Sequence, residues 1–149
     1  MTDPDRSGEG TDPTRIRSIA VHREDVANAL EATLRTEKRV VLRVTPPYSG
    51  RMRARIHRVD DASMDGSDGA IHVDAAAFLE TVPPYPEVDE TAAEFPDADV
   101  ETRRERHAEA VAEWREAVRE AVGGTVEIAI ADGDTVGERT HEVDVVALG

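Results

Sequence analysis

The chain has 149 residues, a formal net charge of −14 and no cysteine, which excludes disulfides and thiolate chemistry. The length suits one domain able to bury a core. No run of about twenty apolar residues occurs, so no membrane-spanning helix is expected and the cytoplasm is the expected location.

Residues 1–14 are polar, acidic and rich in Gly and Pro, the composition of a disordered tail with nothing to bury. They also lack the apolar core of a signal peptide. Residues 15–149 are expected to form a single domain. Residues 15–21 read as a strand. Residues 24–35 place Val26, Ala27, Leu30 and Leu34 on one stripe, the spacing of an amphipathic helix. Glu24 and Asp25 occupy its first turn, where the helix dipole favours anions.

Residues 39–45 alternate, with Val40, Leu42 and Val44 on one side and Arg39, Val41, Arg43 and Thr45 on the other. Alternation resumes after Pro46-Pro47-Tyr48-Ser49-Gly50. Met52, Ala54 and Ile56 oppose Arg51, Arg53, Arg55 and His57. Two alternating runs joined by a short Pro/Gly loop predict a hairpin, with Arg43 opposite Arg53 for a five-residue loop. Tyr48 is expected at its tip, and Tyr85 repeats the Pro-Pro-Tyr triplet.

Residues 60–69 read as a polar loop and 70–73 as a short strand. Asp74 is a suitable cap for a helix over 75–80, which stops before Pro83-Pro84. A long Pro- and acid-rich loop is expected over 82–99. The longest helix is predicted over 101–122, with Val111, Trp114 and Val118 in its apolar stripe and Gly123-Gly124 at its end. Residues 125–131 and 139–148 form a second predicted hairpin. The order β-α-β-β-β-α-α-β-β implies an α+β two-layer sandwich. Its sheet is mixed, mostly antiparallel and about five to six strands wide, with helices on one face.

The charge pattern identifies the candidate site. Residues 38–59 hold seven cations and no acid, inside a chain with 32 acids. Arg39, Arg43, Arg51, Arg53, Arg55 and His57 share one expected face, with Tyr48 at its end. Like charges directly opposite one another are destabilising, so these arginines need anions. Three sources are open: the chain's own Glu127, Glu142 and Asp144, a protein partner or second copy, and nucleic acid. Arginine suits phosphate contacts, yet nucleic-acid-binding sheets usually add stacking aromatics, which this face lacks. The expected function is a non-enzymatic module for protein interaction or self-association through this face and the Pro-Pro-Tyr tip. Nucleic-acid binding through the same arginines is the alternative, and an enzyme acting on an anionic substrate is third.

No metal or cofactor is expected. The five histidines fall in no zinc pattern, and no phosphate-binding or dinucleotide glycine motif occurs. The order of Asp60, Asp61, Asp65 and Asp68 does not fit a calcium loop. Lys38 is the only lysine against seventeen arginines, and acids cover the remaining sequence. This composition is read as that of a protein from a GC-rich, salt-loving organism, in which net charge serves solubility, with a GC-rich non-halophile as the alternative.

The stretch Val40-Val41-Leu42-Arg43-Val44-Thr45-Pro46-Pro47-Tyr48-Ser49-Gly50-Arg51-Met52-Arg53-Ala54-Arg55, in its acidic surroundings, resembles small haloarchaeal proteins of a domain-of-unknown-function family. The resemblance lies mainly in residues 15–59. It implies a halophilic cytoplasm and one small domain, and it implies no reaction.

Overall fold

The computed structural model describes residues 12–59, 69–130 and 139–149. The expectations for the acidic tail over 1–11 and for the loop carrying Asp60, Asp61, Asp65 and Asp68 lie outside the described residues. Within them, three α-helices and seven strands form an α+β fold. The strands are β1 (Ser18–His22), β2 (Arg39–Val44), β3 (Arg51–Arg53), β4 (Arg55–Val59), β5 (Ile71–Asp74), β6 (Thr125–Ile130) and β7 (Arg139–Leu148). The helices are α1 (Arg23–Arg35), α2 (Val88–Glu94) and α3 (Val100–Ala121).

The strands divide into two sheets, ordered β3-β1-β7-β6 and β4-β2-β5. The predicted pairing of residues 39–45 with 51–56 is replaced by a split at Ala54. Before it, Arg51 and Arg53 run parallel to β1, opposite Ser18 and Ala20. After it, Arg55–Val59 runs antiparallel to β2, with Arg43 opposite Arg55 rather than Arg53. The cause is competition for backbone partners. The amide of Ala54 donates to the Ala20 carbonyl at 2.9 Å, which commits the first half of the segment to the parallel neighbour. Ala54 is 1% exposed, and its small side chain lets the strand turn from one sheet into the other. The shared strand joins the sheets on one side, and β5 approaches β6 on the other.

One core lies inside this curl. It takes Ile19 and Val21 from β1, Val40, Leu42 and Val44 from β2, and Val126, Ile128 and Val143 from the C-terminal hairpin. Alternation selects these core residues, but Val41 on the opposite side of β2 is also fully buried, and Ile56, expected inward with Leu42, is 43% exposed. α1 adds Val26, Ala27, Ala29 and Leu30. Burying Val26 or Leu30 contributes about 1.5–3 kcal/mol each. Leu34, predicted in the same stripe, is 52% exposed, because it sits in the last turn of α1, beyond the core.

The helix expected over 75–80 is a 3₁₀ turn, Ala75–Phe78, and Asp74 makes no side-chain capping bond there. Asp74 instead accepts from Arg39 at 3.2 Å. The turn drives Phe78 fully into the core. The loop expected over 82–99 contains α2, whose first turn carries Asp89 and Glu90, where the helix dipole favours acids. Asp99 caps α3 by accepting from the Thr102 amide at 2.7 Å. Trp114 and Val118 are the buried residues of α3. The indole of Trp114 donates to the Pro83 carbonyl at 3.0 Å, and its ring meets Tyr85 edge-on at 4.8 Å.

α3 lies on α1 through a side-chain ion cluster. Arg115 Nη1 meets Glu31 Oε1 at 2.6 Å, and its Nη2 meets Glu24 Oε1 at 2.6 Å. The same Nη2 donates to Asn28 Oδ1 at 2.6 Å. Glu24, Asn28 and Glu31 recur at helical spacing, so one guanidinium spans two turns of α1.

Candidate functional site

In β3, alternation leaves Arg51 and Arg53 exposed on either side of the half-buried Met52, and in β4 Arg55, Ile56 and Arg58 are exposed while His57 and Val59 are half-buried. Arg51, Arg53 and Arg55 are all exposed. Alternate side chains on a strand stand about 6.6 Å apart, so the three form a ladder round the corner between the sheets. Among the described residues, none of the three makes an ion pair.

The acids proposed from sequence as internal neutralisers share the outer face of the four-stranded sheet. Arg51 aligns with Ser18 and Ser18 with Asp144, so arginine and aspartate are two strands apart. Neighbouring strands are about 4.8 Å apart, and no direct pair forms among the described residues. Glu127 and Glu142 stand directly opposite one another on β6 and β7, adding negative charge to the far end of the same face.

The remaining predicted site residues belong to the three-stranded sheet. Arg39 is spent on Asp74. Arg43 is half-buried, and its Nε is closed to solvent. His57 lies beside His72, with ring centroids 5.3 Å apart and planes at 38°. Both rings are half-buried, so they do not form an exposed stacking platform. Among the described residues His57 has no acid within hydrogen-bonding distance.

Tyr48 is not an exposed tip. It is 5% exposed, and its hydroxyl donates to the Gly69 carbonyl. Burial raises its pKa above the ordinary 10.0, and the Arg43 guanidinium partly opposes that shift. A tyrosine with an apolar ring and one polar atom fits the edge of a core when a carbonyl is within reach. The second Pro-Pro-Tyr is also docked. Tyr85 is half-buried, and its hydroxyl donates to Glu31 Oε2 at 3.3 Å.

The predicted site thus separates. Arg51, Arg53 and Arg55 form an open ladder, whereas Arg39, Arg43, His57 and Tyr48 are engaged in or near the fold. Arg115 is the functional-looking cation that sequence reading passed over. In sequence it is one of several arginines on an acidic helix, and only the packing of α3 on α1 sets it apart. Among the described residues no group of three or more potential metal ligands occurs, and no helix is long and apolar enough to cross a membrane.

A family model described as a domain of unknown function, DUF8009, matches residues 6–149. No curated protein matches the chain, and no solved structure does.

Proposed function

The chain belongs to the DUF8009 domain family, and we propose that it is a non-enzymatic interaction module of a halophilic cytoplasm, docking an acidic protein surface on Arg51, Arg53 and Arg55. The observation that carries this reading is the ladder itself: three exposed guanidinium groups in sequence, with no ion pair among the described residues. Each presents a planar set of donors matched to a carboxylate. Charges on a strand edge also discourage backbone pairing with another sheet, so docking here runs through side chains.

A second copy of the chain has the required complement. Glu101, Glu105, Glu109 and Glu113 are exposed on α3. Residues four apart on a helix rise about 6 Å, close to the roughly 6.6 Å step of the arginines. Nucleic acid is supported less well, because the ladder carries no aromatic side chain for base stacking.

The test is the double variant Arg53→Ala, Arg55→Ala. Partners are recovered by affinity purification in molar potassium chloride, with proteins and RNA identified separately, and sedimentation velocity reports self-association. Exposed arginines contribute about 0–1 kcal/mol to stability, so the melting temperature should barely move. Interface arginines can each carry about 2 kcal/mol or more of binding, so recovery or self-association should collapse. Unchanged recovery of every partner, with unchanged sedimentation, refutes the reading. Loss of RNA alone would favour the nucleic-acid alternative.

A further inference from the structure

The exposed apolar surface of this acidic chain is unevenly spread. Six large apolar side chains are exposed among the described residues, and three of them, Leu34, Val88 and Val100, border one groove. The groove lies between the last turns of α1, residues 85–92 and the N-terminal half of α3. Its volume is 890 Å³, within the range of about 300–1,000 Å³ usual for small-molecule sites. Tyr85, Ala92, Ala108 and Val111 complete the apolar lining. The walls come from three separate segments, so the surface is concave rather than flat.

The charge of the lining is opposite to that of the chain. Arg35, Arg103, Arg104 and His107 line it, against Glu31 and Glu87. Glu31 is already engaged by Arg115 at 2.6 Å and by the Tyr85 hydroxyl at 3.3 Å, while Arg35 stands 3.9 Å from it. Arg103 is held by neutral groups. Its Nε donates to the Phe95 carbonyl at 3.1 Å and its Nη2 to the Pro96 carbonyl at 2.6 Å. These bonds fix the guanidinium without cancelling its charge. Arg104 is exposed and makes no ion pair among the described residues. His107 Nδ1 and Thr91 Oγ1 share a 3.1 Å hydrogen bond. Thr91 is the buried polar residue of the lining, 7% exposed, and the bond ties α2 to α3 across the groove wall.

We infer that this groove binds a small amphipathic anion: an apolar body seated on Leu34, Val88, Ala108 and Val111, and a carboxylate facing Arg35 and Arg104. Apolar surface favours the body, and a charge-assisted bond to arginine favours the head. The inference is independent of the arginine ladder, which lies on the sheets.

Decanoate is the probe, titrated into the full ¹⁵N-labelled chain at fixed salt, with decanol as its uncharged counterpart. Decanoate should shift the amide resonances of Leu34, Val88 and Ala108 saturably. Ala108→Trp places a large ring in the groove from an exposed helix position and should abolish those shifts while the rest of the spectrum stays native. The surface double variant Arg35→Ala, Arg104→Ala should weaken decanoate by about tenfold or more and leave decanol unaffected, because only the acid makes charge-assisted bonds. Absence of saturable groove shifts overturns the inference. So does unchanged binding by either variant, or decanol binding as tightly as decanoate. Groove resonances that move on dilution of the protein, and not with decanoate, would assign the surface to a second copy instead.

Discussion

Replacing Arg115 by Met should destabilise the protein by about 2–3 kcal/mol, because it removes the shortest ionic contacts between α1 and α3 while keeping much of the aliphatic volume. The figure comes from the exposure of its partners. The Glu31 side chain is 16% exposed and lies 2.6 Å from Arg115. Once alone it keeps only the Tyr85 hydroxyl at 3.3 Å and the distant Arg35. That loss accounts for about 2 kcal/mol, below the 3–5 typical of a fully buried broken pair. Glu24 is 49% exposed and keeps Arg119 at 3.1 Å, so its share is no more than about 0.5 kcal/mol. For a chain of this size, the total should lower the melting temperature by about 5–10 °C. Urea unfolding gives the free energy directly. A cycle with Glu31→Gln should return a coupling of about 1 kcal/mol or more. The effect should survive in molar salt, since short, partly buried pairs are screened much less than exposed ones. A loss under about 0.5 kcal/mol would refute this account of how α3 is held.

Two further outcomes follow from charge. The Thr102 amide and hydroxyl near Asp99 hold its carboxyl below the ordinary 3.8. Its contribution is therefore present above that value and is lost as pH falls through the lower folded value. The stability gap between the wild type and Asp99→Ala should be flat at neutral pH and close in strong acid, and a gap that widens on acidification would contradict the capping role. The net charge of −14 is screened over about 3 Å at 1 M salt and about 30 Å at 0.01 M. The melting temperature should fall on dialysis from molar to 10 mM potassium chloride, at about constant pH. A rise would contradict a halophilic surface.

What the chain determined by itself was the facing of its residues. Val40, Leu42, Val44, Met52 and Ala54 point inward and Arg51, Arg53 and Arg55 outward in the order their alternation sets, whereas Ile56, expected inward, is 43% exposed and Val41, expected on the arginine side, is fully buried. A strand's period of two is a property of its own backbone. The helix around Val26 and Leu30 was legible for the same reason, because its stripe is made within a few residues, whereas the cap expected at Asp74 does not form and Asp99 caps α3 instead. The family and the α+β class were likewise readable from residues 15–59 and from the element order. Tertiary structure decided who pairs with whom. Alternation cannot distinguish a hairpin of residues 39–45 and 51–56 from a segment split at Ala54, because the alternation of Arg51 and Arg53 with Met52 and Ala54 is the same whichever strand they pair with. The choice fell to the Ala20 carbonyl, more than thirty residues away in sequence. Tyr48 entered the core edge because the Gly69 carbonyl lay within reach, and nothing in Pro-Pro-Tyr encodes that distance. The apolar groove has the same origin. Leu34 looks like a core residue within its own stripe, yet it is exposed beside Val88 and Val100, residues of two other helices that only the fold brings to the same groove.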